Sequence, residues 1–179
     1  MHHDADATAD GGDNGGMPEH DEVDHIVAAW NRERPDLDFE PLQVLSRVAR
    51  LARHLDRARR TAFAASDLES WEFDVLSALR RAGAPYQLSP KALLQQTLVS
   101  SGTMTNRIDR LVERGLVTRR TAPHDGRGIL VSMTAGGQHR VDDAIAQLVR
   151  SEAQLLEGLA PADRERLAAL LRRLSLDFD

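Results

Sequence analysis

No cysteine occurs among the 179 residues, which removes disulfides, thiolate zinc sites and cysteine nucleophiles together. Aromatic residues are scarce at 4%, so Leu and Ala carry the apolar load and the balance tilts towards helices. No apolar run approaches the ~20 residues that a membrane-spanning helix needs, and the acidic N-terminus is unlike a signal peptide. The expected location is the cytoplasm, without a membrane partner. Phosphate-binding glycine loops, a Gly-x-Ser-x-Gly elbow and clustered metal-ligand spacings are missing too, so no enzyme, catalytic residue, metal or cofactor is expected. What is present suits a soluble globular chain, with 41% apolar and 28% charged residues. At ~150 residues per domain the length allows one domain and an appendage.

The net charge of −5 argues against a nucleic-acid partner until its placement is read. Residues 1–31 hold eight acids (Asp4, Asp6, Asp10, Asp13, Glu19, Asp21, Glu22 and Asp24) and no Lys or Arg. The other 20 acids face 23 basic residues, so the rest of the chain is positive. Between Lys91 and Arg127 seven basic residues outnumber three acids. Binding responds to the local field, and a local excess of +4 is compatible with DNA.

Residues 1–20 are acidic and glycine-rich with little to bury, which predicts a disordered tail in which His2 and His3 are solvated. Val23, Ile26, Val27 and Trp30 space as a short amphipathic helix that Pro35 cannot continue. Helical spacing of Leu42, Leu45, Val48, Ala52 and Leu55 predicts a second helix, from Pro41 to about Phe63. The next runs from about Trp71 to Ala82, with Gly83 and Pro85 as stop signals. Ser89-Pro90 opens a short helix to about Thr97. After a tight turn at Val99-Ser100-Ser101-Gly102, Ser101 is positioned to cap a helix reaching Arg114, with Gly115 behind it.

Leu116–Arg120 and Ile129–Met133 read as a β-hairpin around an extended, charged loop from Pro123 to Gly128. Thr134 then caps a long helix, and Pro161 starts the last one. The expected fold is mainly α with a small β-hairpin wing: a winged helix-turn-helix whose long flanking helices are too apolar to stand alone and need a partner surface. Its parts are an acidic tail (1–20), N-terminal helices (21–66), the winged helix-turn-helix lobe (67–134) and C-terminal helices (135–179).

At ~100° per residue, Met104, Ile108, Leu111 and Val112 form the buried stripe of the helix after the turn. Thr103, Asn106 and Arg110 project from the opposite side. Arg suits guanine O6 and N7, Asn suits adenine, and Thr meets a thymine methyl or a phosphate. Ser101 and Thr105 add hydroxyls to a helix start whose amides point at phosphate. Arg127 at the loop tip is a minor-groove probe, and Asp125 either holds that loop or orients the arginine. The alternatives are a solvated polar face and an ordinary surface pair, or a winged helix that binds protein and has no operator. His54, His124 and His139 read as solvated.

Gly102-Thr-Met-Thr-Asn-Arg-Ile-Asp-Arg-Leu-Val-Glu-Arg-Gly-Leu-Val, Asp125-Gly-Arg127 and Val131-Ser-Met-Thr134 resemble the winged-helix signature of MarR-family transcription regulators over about residues 41–178. The resemblance implies a homodimeric repressor, dimerised through its N-terminal helices (21–66, which also hold a pocket) and C-terminal helices (135–179), whose lobe 67–134 binds a pseudo-palindromic operator in double-stranded DNA. Trp30, Trp71-Glu-Phe-Asp74, Asn106-Arg107-Ile108 and the first arginine after Gly115-Leu-Val-Thr further resemble the urate-responsive branch. That likeness implies Trp30 and Arg107 as contacts for a small anionic effector, urate, and Asp74 with Arg119 as the pair that couples ligand to DNA; the alternatives are a different aromatic or carboxylate anion, a Trp30 that only staples its helix, and a plain Asp74–Arg119 ion pair. On the helical wheel Arg107 lies on the flank of its helix, between the buried stripe and Arg110.

Overall fold

The computed structural model describes residues 20–97, 99–122, 125–176 and 178, without the side chains of 122 and 125–127. The expectations for residues 1–19 and for Pro123 and His124 lie outside them. The chain divides into two compact units, residues 1–52 and 53–179.

In the first unit, α1 (Glu22–Glu33) starts where Asp21 Oδ1 accepts the Val23 and Asp24 amides at 2.8 and 3.1 Å. Asp24 Oδ2 returns the favour to the Asp21 amide at 2.8 Å, closing a capping box. Val23 and Val27 are buried as their spacing predicts. Helix α2 (Glu40–Ala64) begins in this unit and runs into the second; it carries Pro41 in its first turn, where the missing N–H costs nothing. Its Arg47 reaches Asp21 and Asp24 at 2.8 and 2.9 Å.

The second unit builds the helix-turn-helix and wing. Helix α3 (Ser70–Arg81) precedes strand β1 (Gln87–Leu88), and α4 (Pro90–Thr97) turns into α5 (Ser101–Glu113). Strands β2 (Val117–Ala122) and β3 (Asp125–Met133) follow, then α6 (Ala135–Leu155) and α7 (Pro161–Ser175). The sheet is antiparallel in the order β1-β3-β2. Leu76, Leu79, Leu93, Met104, Ile108, Leu111, Val117, Val131 and Val141 fill the core between these elements.

Three expectations are corrected. Ser100, not Ser101, caps α5, accepting the Thr103 amide at 3.3 Å, because a side chain at the cap reaches the third amide ahead. Asp125–Gly128 belongs to β3 rather than to an extended loop, since Thr121 pairs with Ile129 and Ala122 with Asp125 across a register shift. Val112 is 38% exposed and falls off the edge of the stripe that buries Met104, Ile108 and Leu111.

Gly115 ends α5 with φ +69°, a conformation glycine adopts without strain. Thr134 Oγ1 caps α6 by accepting the Gly137 amide at 3.0 Å and donates to the Gly115 carbonyl at 2.8 Å. This draws α6 so close that a Cβ on Gly137 would overlap the Leu116 carbonyl oxygen and lie 3.1 Å from its carbon. Gly137→Ala is therefore expected to cost about 2 kcal/mol despite alanine's better helix propensity, read from urea unfolding.

Candidate nucleic-acid interface and adjoining crevices

Helix α5 separates its faces cleanly. Met104, Ile108 and Leu111 are buried while Ser101, Thr103, Thr105, Asn106 and Arg110 are exposed. Two hydroxyls of this face are already engaged: Thr105 donates to the Ser101 carbonyl at 3.1 Å, and Thr103 shares a 2.9 Å bond with Ser100. Asn106 and Arg110 are exposed on the same face.

Arg110 does not hang free. Its Nη2 donates to Glu69 Oε1 at 3.3 Å, and its guanidinium lies 4.9 Å from the centroid of the Trp71 ring. Glu69 Oε2 accepts the Trp71 indole N–H at 2.7 Å. Arg107 is half-buried one turn earlier and sits 5.6 Å from the same ring. Between these groups opens a cavity of about 540 Å³ lined by Glu69, Trp71, Gly102, Thr103, Asn106, Arg107 and Arg110.

A second crevice of about 590 Å³ shares Glu69, Trp71 and Arg107 with the first and reaches Arg60, Leu68, Ser70 and Asp74. A third, of about 210 Å³, joins Asp74 to Ser77, Arg81, Gln96 and Thr97. Asp74 thus borders two crevices. Although its residue surface reaches solvent, partial desolvation raises its carboxyl above the usual aspartate range, against the lowering pull of Arg107, Arg81 and Arg59. Arg107, on the flank of α5, lines the first two of these crevices. Arg81, lining the third, is a further cation that sequence reading missed, although its place seven residues after Asp74 puts both on one face of α3.

The expected Asp74–Arg119 pair is corrected. Arg119 on β2 meets Asp109 of α5 at 2.5 Å, because α5 packs directly on β2, while Asp74 faces Arg107 and Arg81. Asp125 and Arg127 lie on β3, and their side chains are outside the described residues. Trp30, in the N-terminal unit, is 48% exposed and stacks on Phe39 with ring centroids 5.8 Å apart.

Beneath this face lies a network that no sequence pattern announced. Glu72 is fully buried; its Oε2 accepts the Glu69 amide at 2.9 Å and pairs with Arg114 at the C-cap of α5. Arg114 Nη2 also donates to the Asp67 carbonyl and carboxylate at 2.8 and 2.7 Å. Arg140 of α6 meets the same carboxylate, and Asp67 is held below the ordinary aspartate range, first by that hydrogen bond.

Among the described residues no cluster of His, Cys, Asp and Glu could hold a metal, and no helix is long and apolar enough to cross a membrane.

Comparison with known proteins agrees with the winged helix-turn-helix fold. A MarR-family model matches residues 66–128. The transcriptional regulator PecS of Dickeya dadantii is 35% identical over 153 residues, covering 86% of this chain and 92% of the relative. The multiple antibiotic resistance protein MarR of Escherichia coli is 32% identical over 110 residues, covering 60% and 74%. A mutant of Escherichia coli MarR solved with operator DNA superposes with TM-score 0.62 at 28% identity, covering 81% of this chain and 96% of that one. BpsR of Bordetella bronchiseptica, whose DNA binding is regulated by 6-hydroxynicotinic acid, gives 0.56 at 28% identity, covering 72% and 98%.

Proposed function

The chain belongs to the MarR family of transcriptional regulators, and from that premise we propose that it is a homodimeric repressor which leaves its operator when a small planar anion, urate, binds beside α5. One observation carries the DNA-binding half: α5 buries its apolar stripe and exposes Asn106 and Arg110 together, with Ser101, Thr103 and Thr105 beside them at the end where amides face phosphate. Arg127 and Asp125, carried by β3, are assigned to the minor groove on the wing reading of the sequence.

Dimerisation rests on unpartnered apolar surface. Helix α7 buries no residue in the single chain, and Leu167, Leu170, Leu171 and Leu174 are 38–50% exposed along it. Ile145, Val149 and Leu155 of α6 are exposed as well. A second copy covering residues 135–179, together with the helices of 21–66, removes this surface from water and places two recognition helices about one DNA turn apart.

The effector reading rests on Arg107. An anion drawn to this guanidinium makes a charge-assisted contact, and the same arginine sits on the helix that must lie in the groove. The Asp74 carboxylate, which borders the same crevice as Arg107, opposes the anion. Urate matches the flat, acceptor-rich shape, and the BpsR relative supports an aromatic anion as the class. Trp30 stays assigned to the effector on the urate-branch resemblance.

Titration of urate into a protein–operator complex, followed by fluorescence anisotropy, tests this. Half-release is expected to need ~10-fold more urate or beyond in Arg107→Ala and less in Asp74→Asn, because these changes remove an attractive and a repulsive charge respectively. Release by 6-hydroxynicotinate with none by urate would reassign the effector. Retention of DNA in both titrations would end the ligand reading.

A further inference from the structure

Arg110 is the exposed arginine best placed to read a base, and such a residue is usually a floppy side chain whose ordering opposes recognition. Here it is already ordered. The Trp71 ring covers one face of the guanidinium at 4.9 Å, and Glu69 accepts from Nη2 at 3.3 Å. Of five guanidinium donors the contact with Glu69 uses one, which leaves the rest of the fork for a base edge.

The support is itself anchored. Glu69 Oε2 is held by the Trp71 indole N–H at 2.7 Å, so the carboxylate cannot swing away without losing a second bond. The Glu69 amide is fixed at 2.9 Å by the buried Glu72, and Trp71 packs against the hydrophobic core. Glu69 and Arg110 are more than half exposed, at 58% and 54% of their side chains, so their pairing adds little to folding. Its effect is on orientation.

We propose that Glu69 and Trp71 are positioning residues for sequence readout, holding the Arg110 guanidinium in one orientation on the exposed face of α5. The proposal rests on the DNA-binding reading above and adds that discrimination between sequences, rather than attraction to phosphate, depends on two residues of a different helix. Both lie at the start of α3, where pattern alone marks them only as a helix entry.

The test uses the full chain and an operator selected by the wild-type protein from a random duplex pool. Affinity for that operator and for a shuffled duplex is measured at one salt concentration. Glu69→Gln and Trp71→Leu are each expected to lower the ratio of the two affinities about tenfold, with shuffled-duplex binding unchanged within about twofold. In an Arg110→Ala background neither substitution should lower the ratio further. Because Trp71 touches the core, its variant is compared by thermal melting first, and the exposed Glu69→Gln decides the matter.

An unchanged ratio in Glu69→Gln overturns the proposal. So does equal tightening on both duplexes, which would mean that Glu69 acts only as a negative charge near phosphate. A pool that yields no preferred sequence for the wild type would defeat the DNA-binding reading instead.

Discussion

Arg114→Met is expected to destabilise the chain by about 3 kcal/mol, the low end of the cost of stranding a buried charge. The partner it abandons is Glu72, whose side chain is 1% exposed and whose Oε1 already lacks a hydrogen-bond partner among the described residues. The arginine itself is 31% exposed, which is why the lower bound applies. Its loss also frees Asp67, a non-glycine residue held at φ +51°, from one of its two arginine partners. Replacing both ends of the pair, Glu72→Leu with Arg114→Met, should recover most of the loss, because apolar groups of similar volume need no counter-charge. Urea unfolding at fixed protein concentration reads both effects, the fixed concentration being required if the folded form is a dimer. A single mutant within about 1 kcal/mol of wild type would show that water reaches Glu72 and relieves it.

That network also marks where the sequence stops being legible. The stripe of Met104, Ile108 and Leu111 could be read from spacing alone, since a 3.6-residue period places them on one face whatever lies opposite. Gly115 and Thr134 were equally legible, because a left-handed C′ residue and a helix cap are local requirements met by local chemistry. Adjacent serines made the cap of α5 ambiguous by one residue. Strand β1 escaped because two residues carry no period; Gln87 and Leu88 become a strand only by pairing with Ser132 and Val131 far along the chain.

Charged pairs were the least legible part. Glu72 looks like any polar residue in a first helical turn, and its burial depends on Arg114 arriving from another helix. Arg119 was given the wrong carboxylate for the same reason: Asp109 and Asp74 are indistinguishable in sequence, and only the packing of α5 on β2 selects between them. The candidate site was thus readable in its outward-facing residues. The contacts that Glu69 and Trp71 make with Arg110 were not.

Arg110→Ala should produce the largest functional loss, and symmetry is the reason. A bidentate arginine–guanine contact is worth ~1–3 kcal/mol, and the proposed twofold dimer would make each contact twice on a palindrome, so about 2–6 kcal/mol is at stake. Operator affinity should fall from about 30-fold upward. Alanine also leaves Glu69 unneutralised beside the duplex, which pushes the loss towards the larger figure. Arg110→Lys separates the contributions, because lysine keeps the charge without the planar fork: discrimination should collapse while the salt dependence stays near that of wild type. Arg127→Ala should behave the opposite way. A groove arginine that mainly meets phosphate and minor-groove potential lowers binding to all sequences, and its removal from both protomers should reduce the salt slope by about 2. Affinities for selected and shuffled duplexes across a salt series distinguish the two signatures. If Arg110→Ala weakened both duplexes equally and Arg127→Ala left the slope untouched, α5 would be a phosphate-binding surface, and base reading would have to come from elsewhere on the lobe.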